Sequence, residues 1–95
     1  MQYRLTLAVA QDLADLSQHI AHDDPSAATA MLDLLEAKCH LLTQYPEIGR
    51  RREELLPNLR SFPSSQYVIY YRITGVEIQV IRILHGARDA QAALQ

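Results

Sequence analysis

Five side chains on or beside the strands of the second half of this sequence could together move a proton and hold an anion: Arg60, Arg72, Arg82, His85 and Arg88. His85 sits in the stretch "ILHGARD", and a histidine side chain can serve as acid or base. The arginines can stabilise a crowded phosphate, so the set holds the parts of a phosphoryl-transfer site: a base, cations for the phosphate and an acid for the leaving oxygen. Each residue also has a plainer reading. Arginines on strands are commonly solvated or ion-paired, with Glu53, Glu54 and Glu77 available as partners. His85 can end a strand, Gly86 can supply a backbone conformation that other residues resist, and Asp89 can cap a short terminal helix, "AQAAL".

Other chemistry-bearing groups are sparse. "GRRREE", residues 49–54, is the one dense basic run, but two glutamates follow at once and a solvated loop is the better reading than a phosphate track. His19 and His22 share a helix face beside Asp23, yet no second ligand cluster accompanies them, so no metal site is expected. Cys39 falls near an apolar helix stripe and reads as a packed small residue. The glycines at 49, 75 and 86 are too scattered for a nucleotide-binding loop, and nothing else implies a cofactor.

The bulk properties set the frame for these residues. A chain of 95 residues makes a single domain, 1–95, and a composition of 48% hydrophobic and 21% charged residues is that of a chain that folds. The formal charge of −2 gives no general attraction to nucleic acid or anionic lipid, so no direct specific nucleic-acid binding is expected. One cysteine excludes an internal disulfide and fits a reducing compartment. Asp12 and Asp15 interrupt the N-terminal apolar residues early, which argues against a signal peptide or membrane span and for a cytoplasmic protein.

The positioning elements follow from periodicity. Tyr3 to Leu7 alternates apolar and polar residues as a half-buried strand does. Val9, Leu13, Leu16 and Ile20 then recur at helical spacing, with Asp12, Asp15 and Gln18 on the wet side. In "HDDPSAA", Asp24 is placed as N-cap and Pro25 at the first position of a second helix running to about Gln44. "LRSFPSSQYVIYYRI" and "VEIQVIRIL" read as strands, with Thr74-Gly75 marking a tight hairpin and a charged connection upstream. The order is strand, helix, helix, then three strands, an α+β layer protein in which a helical hairpin packs on a small sheet.

These stretches together resemble the RelE/ParE superfamily of toxins from bacterial type II toxin–antitoxin modules, and its ParE branch in particular. "DDPSAA", "YPEIGRRREELLPNLRS", "YVIYYRI" and "ILHGARD" carry the resemblance, in order, over nearly the whole chain. It implies a β-α-α-β-β-β fold with a mostly antiparallel sheet, growth inhibition, a role in plasmid stabilization and a cognate antitoxin as partner. The RelE branch cuts messenger RNA on the ribosome, whereas the ParE branch poisons DNA gyrase by binding. Aligned on Gly86, this chain keeps one RelE-branch cation at Arg88. It has Leu94 where that branch often carries tyrosine, and Val68 near its central arginine. Leu59 to Ser61 stand near its lysines, with only Arg60 able to substitute.

The expected function is therefore a gyrase-binding toxin without chemistry of its own and with no confident catalytic residue. The alternatives are a RelE-like endoribonuclease, or an inactive member that only binds its antitoxin. Arg60, Arg82, His85, Arg88 and Asp89 are the expected target contacts. A sheet covered by helices on one face leaves apolar strand residues on the other, so Val68, Tyr70, Ile81 and Ile83 are the expected antitoxin contacts. Such antitoxins usually contribute a flexible segment that orders on binding.

Overall fold

Thr6 does two jobs at the first change of structure. It ends β1 (Gln2–Leu5) and caps α1 (Leu7–Asp23), its hydroxyl accepting a hydrogen bond from the Val9 amide at 3.3 Å. The strand is thus shorter than the alternation predicts, and Leu7 opens the helix fully in solvent. The second cap is as expected. Asp24 accepts from the amides of Ser26 and Ala27, and Pro25 occupies the first position of α2 (Pro25–Gln44). The computed structural model describes residues 1–94; Gln95, the end of the expected domain, lies outside the described residues.

After α2 come β2 (Arg50–Arg51), β3 (Arg60–Ser64), β4 (Tyr67–Thr74), β5 (Glu77–His85) and a four-residue α3 (Ala90–Ala93). They form one sheet in the order β1-β5-β4-β3-β2, antiparallel throughout except that β1 runs parallel to β5. The β4–β5 hairpin turns through Gly75, whose φ of +55° fits the first central position of a type II′ turn. Between Tyr70↔Arg82 and Tyr71↔Val80 the register slips, leaving Ile81 as the extra residue of a bulge on β5.

Alternation along β4 divides the apolar residues between two faces. Tyr67, Ile69 and Tyr71, with Ile78, Val80 and Ile83 of β5, pack under Val9, Leu16, Leu35, Cys39 and Leu42 of the helical hairpin. On the opposite face Tyr70 and Leu84 bury Leu59, closed over by Leu55, Leu56, Val68, Ile81, Ala90, Ala93 and Leu94. This second cluster corrects the expectation of an open apolar face. Residues 55–59 and α3 already cover it, because "ELLPNL" and "AQAAL" fold back on the strands.

Candidate functional site

β1 ends opposite Val80, so the outer edge of β5 from Ile81 onward has no strand beside it. Its backbone groups still need partners once they are buried. The start of α1 supplies them: the Thr6 hydroxyl donates to the Ile81 carbonyl at 3.1 Å, and the Ile83 amide donates to Asp12 Oδ2 at 3.0 Å. Asp12 is therefore buried, contrary to its expected place on the wet side of the helix, with 8% exposure.

The same carboxylate holds Arg82 in a two-pronged pair, Nε to Oδ2 and Nη2 to Oδ1, both at 2.8 Å. Nη1 of Arg82 donates to the Ala93 carbonyl at 2.8 Å, so one guanidinium joins α1, β5 and α3. Hydrogen bonding to Asp12 raises the Arg82 pKa above its already high ordinary value. The acids foreseen for the strand arginines are engaged elsewhere: Glu77 pairs with Arg4 at 2.9 Å and Glu54 with Arg52 at 2.8 Å. Arg72 is partly buried, its Nε enclosed and, among the described residues, without a hydrogen-bond partner.

Immediately beyond Arg82 the chain turns. His85 is paired with Tyr67 across the hairpin, the two rings edge-on at 5.5 Å. The Gly86 amide donates to the Gln66 carbonyl at 2.8 Å and the Arg88 amide to the His85 carbonyl at 3.0 Å. The Ala87 amide donates to His85 Nδ1 at 3.1 Å, which makes Nδ1 an acceptor and leaves Nε2 to carry the ring proton of neutral His85. Asp89 caps α3 through the amides of Gln91 and Ala92. His85 and Arg88 border a shallow cavity of about 270 Å³ together with Asp15 and His19 of α1.

Four of the five expected target contacts thus lie on one short segment, with His85, Arg88 and Asp89 exposed and Arg82 internally engaged. Arg60 is separate. It stands on β3 with β4 between it and β5, and its Nη1 donates to the carbonyls of Glu47 (3.1 Å) and Gly49 (2.9 Å). His19 is the neighbour that sequence reading missed; Asp12, Asp15 and His19 follow at steps of three and four on one side of α1. Among the described residues no group of three His, Cys, Asp or Glu side chains converges as a metal ion would require. Burial, aided by Glu36, pushes the Cys39 thiol up to about 11.

The expected antitoxin contacts fare differently from one another. Ile83 lies under the helices at 3% exposure, because the bulge at Ile81 sets the next residues back by one and turns Ile83 inward. Tyr70 is buried on the other face, with Val68 and Ile81 partly buried against it. These four residues are therefore interior or half-covered, in two separate clusters, and form no open patch. Val68 and Leu94 share that second apolar cluster.

The sequence model for the ParE toxin of type II toxin–antitoxin systems (parDE) matches residues 3–90. The chain belongs to the ParE toxin family. Toxin ParE3 of Caulobacter vibrioides is 36% identical to this ParE-family chain over 67 residues, covering 70% of it and 67% of the relative. Toxin RelE1 of the same organism is 38% identical over 81 residues, covering 80% of the chain and 83% of the relative. Among solved structures, a chain of the chromosomal ParDE system from P. aeruginosa superposes with a TM-score of 0.76 at 24% identity. It covers 90% of this chain and 95% of that one. A chain of the toxin–antitoxin complex RelBE2 from Mycobacterium tuberculosis gives 0.61 at 24% identity, over 88% and 95%. The β-α-α-β-β-β arrangement with its helical hairpin is thus the fold of ParE and RelE toxins, and this family member is a type II toxin–antitoxin toxin. No helix among the described residues is long and apolar enough to cross a membrane.

Proposed function

We propose that this ParE-family toxin acts by binding DNA gyrase and trapping it on cleaved DNA, without bond-making of its own, and that a cognate antitoxin reverses the effect. The observation that carries the reading is the placement of Val68 and Leu94 within one apolar cluster. By the resemblance, Val68 stands near the RNA-cleaving branch's central arginine and Leu94 where that branch often carries tyrosine, and neither side chain can supply a cation or a proton. Arg82, paired in register with Tyr70 across the hairpin, already serves Asp12 and the Ala93 carbonyl. What the C-terminal segment offers a target is a set of exposed groups on a fixed turn: His85, Arg88 and Asp89. Such a segment fits docking, where orientation matters more than proton transfer. Arg60, held by carbonyls of the 45–49 loop, is an outlying contact.

A second reading has specific support. Relatives named RelE toxins also match this chain, and the cavity beside His85 and Arg88 is lined by His19 too. Two imidazoles and a guanidinium form a minimal set for ribonuclease chemistry. The two readings separate in vitro. Purified toxin added to gyrase, DNA and ATP should block supercoiling and accumulate cleaved DNA, while cleavage of transcripts in a translating extract would transfer the assignment to the ribosome.

A further inference from the structure

The segment that follows α2 combines rigidity with exposed apolar side chains. The Tyr71 hydroxyl donates to the Pro46 carbonyl at 2.7 Å and accepts from the Gly49 amide at 2.9 Å. Arg60 grips the same loop through the carbonyls of Glu47 and Gly49. A side chain at position 49 would run into the Tyr71 hydroxyl and ring, so glycine is what allows this approach. A loop so tied loses little freedom when something binds it.

That loop nevertheless turns Tyr45 (59% exposed) and Ile48 (49%) to solvent, and Met1 (53%) joins them around an open groove of about 580 Å³. Ile73 forms one wall of the groove and also a wall of a narrower cleft, of about 140 Å³, bordered by Arg51 and Arg60. Arg51 and Arg60 are direct partners across β2 and β3, and like charges so placed repel. Arg60 is eased by two carbonyls. Arg51 is exposed and, among the described residues, forms no ion pair, although Glu53 borders the same cleft.

We infer that these adjoining depressions receive one acidic segment of the antitoxin, a bulky apolar residue resting on Tyr45 and Ile48 and a neighbouring carboxylate on Arg51. The inference rests on the antitoxin partnership proposed above. A phosphate backbone would satisfy the arginines but leave the apolar groove unfilled, and a chain of net charge −2 gives a polyanion no wider track. A peptide that is both apolar and acidic fills both depressions.

The test is titration calorimetry of this chain with the antitoxin encoded beside it, using Ile48→Asp and Arg51→Glu, with Val76→Asp at the exposed hairpin tip as control. Circular dichroism checks that each variant folds; all three positions are exposed, so the core is not disturbed. Each groove variant should weaken binding by about tenfold or more, as loss of a central apolar or charged contact does, while the control stays within about twofold. Amides of residues 45–51 should gain hydrogen-exchange protection in the complex. Unchanged affinity of both groove variants overturns the inference and leaves the partnership intact, whereas failure of the unmodified toxin to bind removes both. An Arg51→Glu effect confined to binding of labelled DNA reassigns the cleft to nucleic acid and overturns it. A toxin dimer broken by Ile48→Asp with antitoxin affinity unchanged gives the groove to a second copy and overturns it equally.

Discussion

Asp12 and Arg82, 70 residues apart, meet through two hydrogen bonds of 2.8 Å, and the same carboxylate caps the Ile83 amide. The pair replaces the strand that β5 lacks at its outer edge. Removing Asp12 leaves the partly buried Arg82 with only the Ala93 carbonyl and the Ile83 amide without its acceptor, which should cost about 1–3 kcal/mol. Asp12→Ala should fall in that range in urea unfolding. Asp12→Asn, which keeps an acceptor for Ile83, should cost less. Equal losses for the two would mean that the amide contact contributes nothing.

A second prediction concerns the loop after α2. Gly49→Ala places a methyl group against the Tyr71 hydroxyl and ring and should destabilise by about 1–3 kcal/mol, as overpacking does. Tyr71→Phe removes the hydroxyl, the atom nearest the new methyl group, together with the bonds to Pro46 and Gly49, while the ring stays. The double variant should therefore be less destabilised than the two single losses summed.

Cys39 gives the pH prediction. Burial, with Glu36, raises its folded value to about 11 from an ordinary value of 9.0. Between those values the unfolded chain releases the thiol proton and the folded chain retains it. Stability is therefore complete below about pH 9 and declines as pH rises toward 11. Cys39→Ala should lower overall stability and flatten that alkaline decline. The slope in unfolding experiments from pH 8 to 11 is the readout, and an unchanged slope would contradict the assignment.

How far the sequence foretold this molecule depends on the range of the interactions concerned. The Asp24-Pro25 cap, the Gly75 hairpin and the end of α2 depend on neighbours in the chain, and all were legible. Asp12 was not. Helical periodicity sends a polar residue to solvent, and only the parallel pairing of β1 with β5, some 75 residues away, creates the bare strand edge that draws it inward. The bulge at Ile81 similarly turned Ile83 into the helix-facing core, which strict alternation along the strand does not foresee. β2 is two arginines with no strand signal of their own, held only by pairing to β3. At the candidate site, the exposed cluster of His85, Arg88 and Asp89 was readable from "HGARD". The fixing of Arg82 by α1 and α3 was not.

That contrast yields a prediction for the C-terminal segment. Arg88→Ala removes an exposed side chain and should change stability by less than about 0.5 kcal/mol. It should nonetheless reduce gyrase inhibition by about tenfold, the usual loss at a central contact. Arg82→Ala should behave in the opposite way, losing stability first. Dose–response curves beside urea unfolding for both variants check the division of roles.

The most direct measurement is a supercoiling assay with purified toxin, gyrase, DNA and ATP, with and without antitoxin, scoring both lost supercoiling and accumulated cleaved DNA. Inhibition with trapped cleavage complexes, relieved by antitoxin, is the predicted result. Full gyrase activity at toxin excess, together with transcript cleavage in a translating extract, would contradict it.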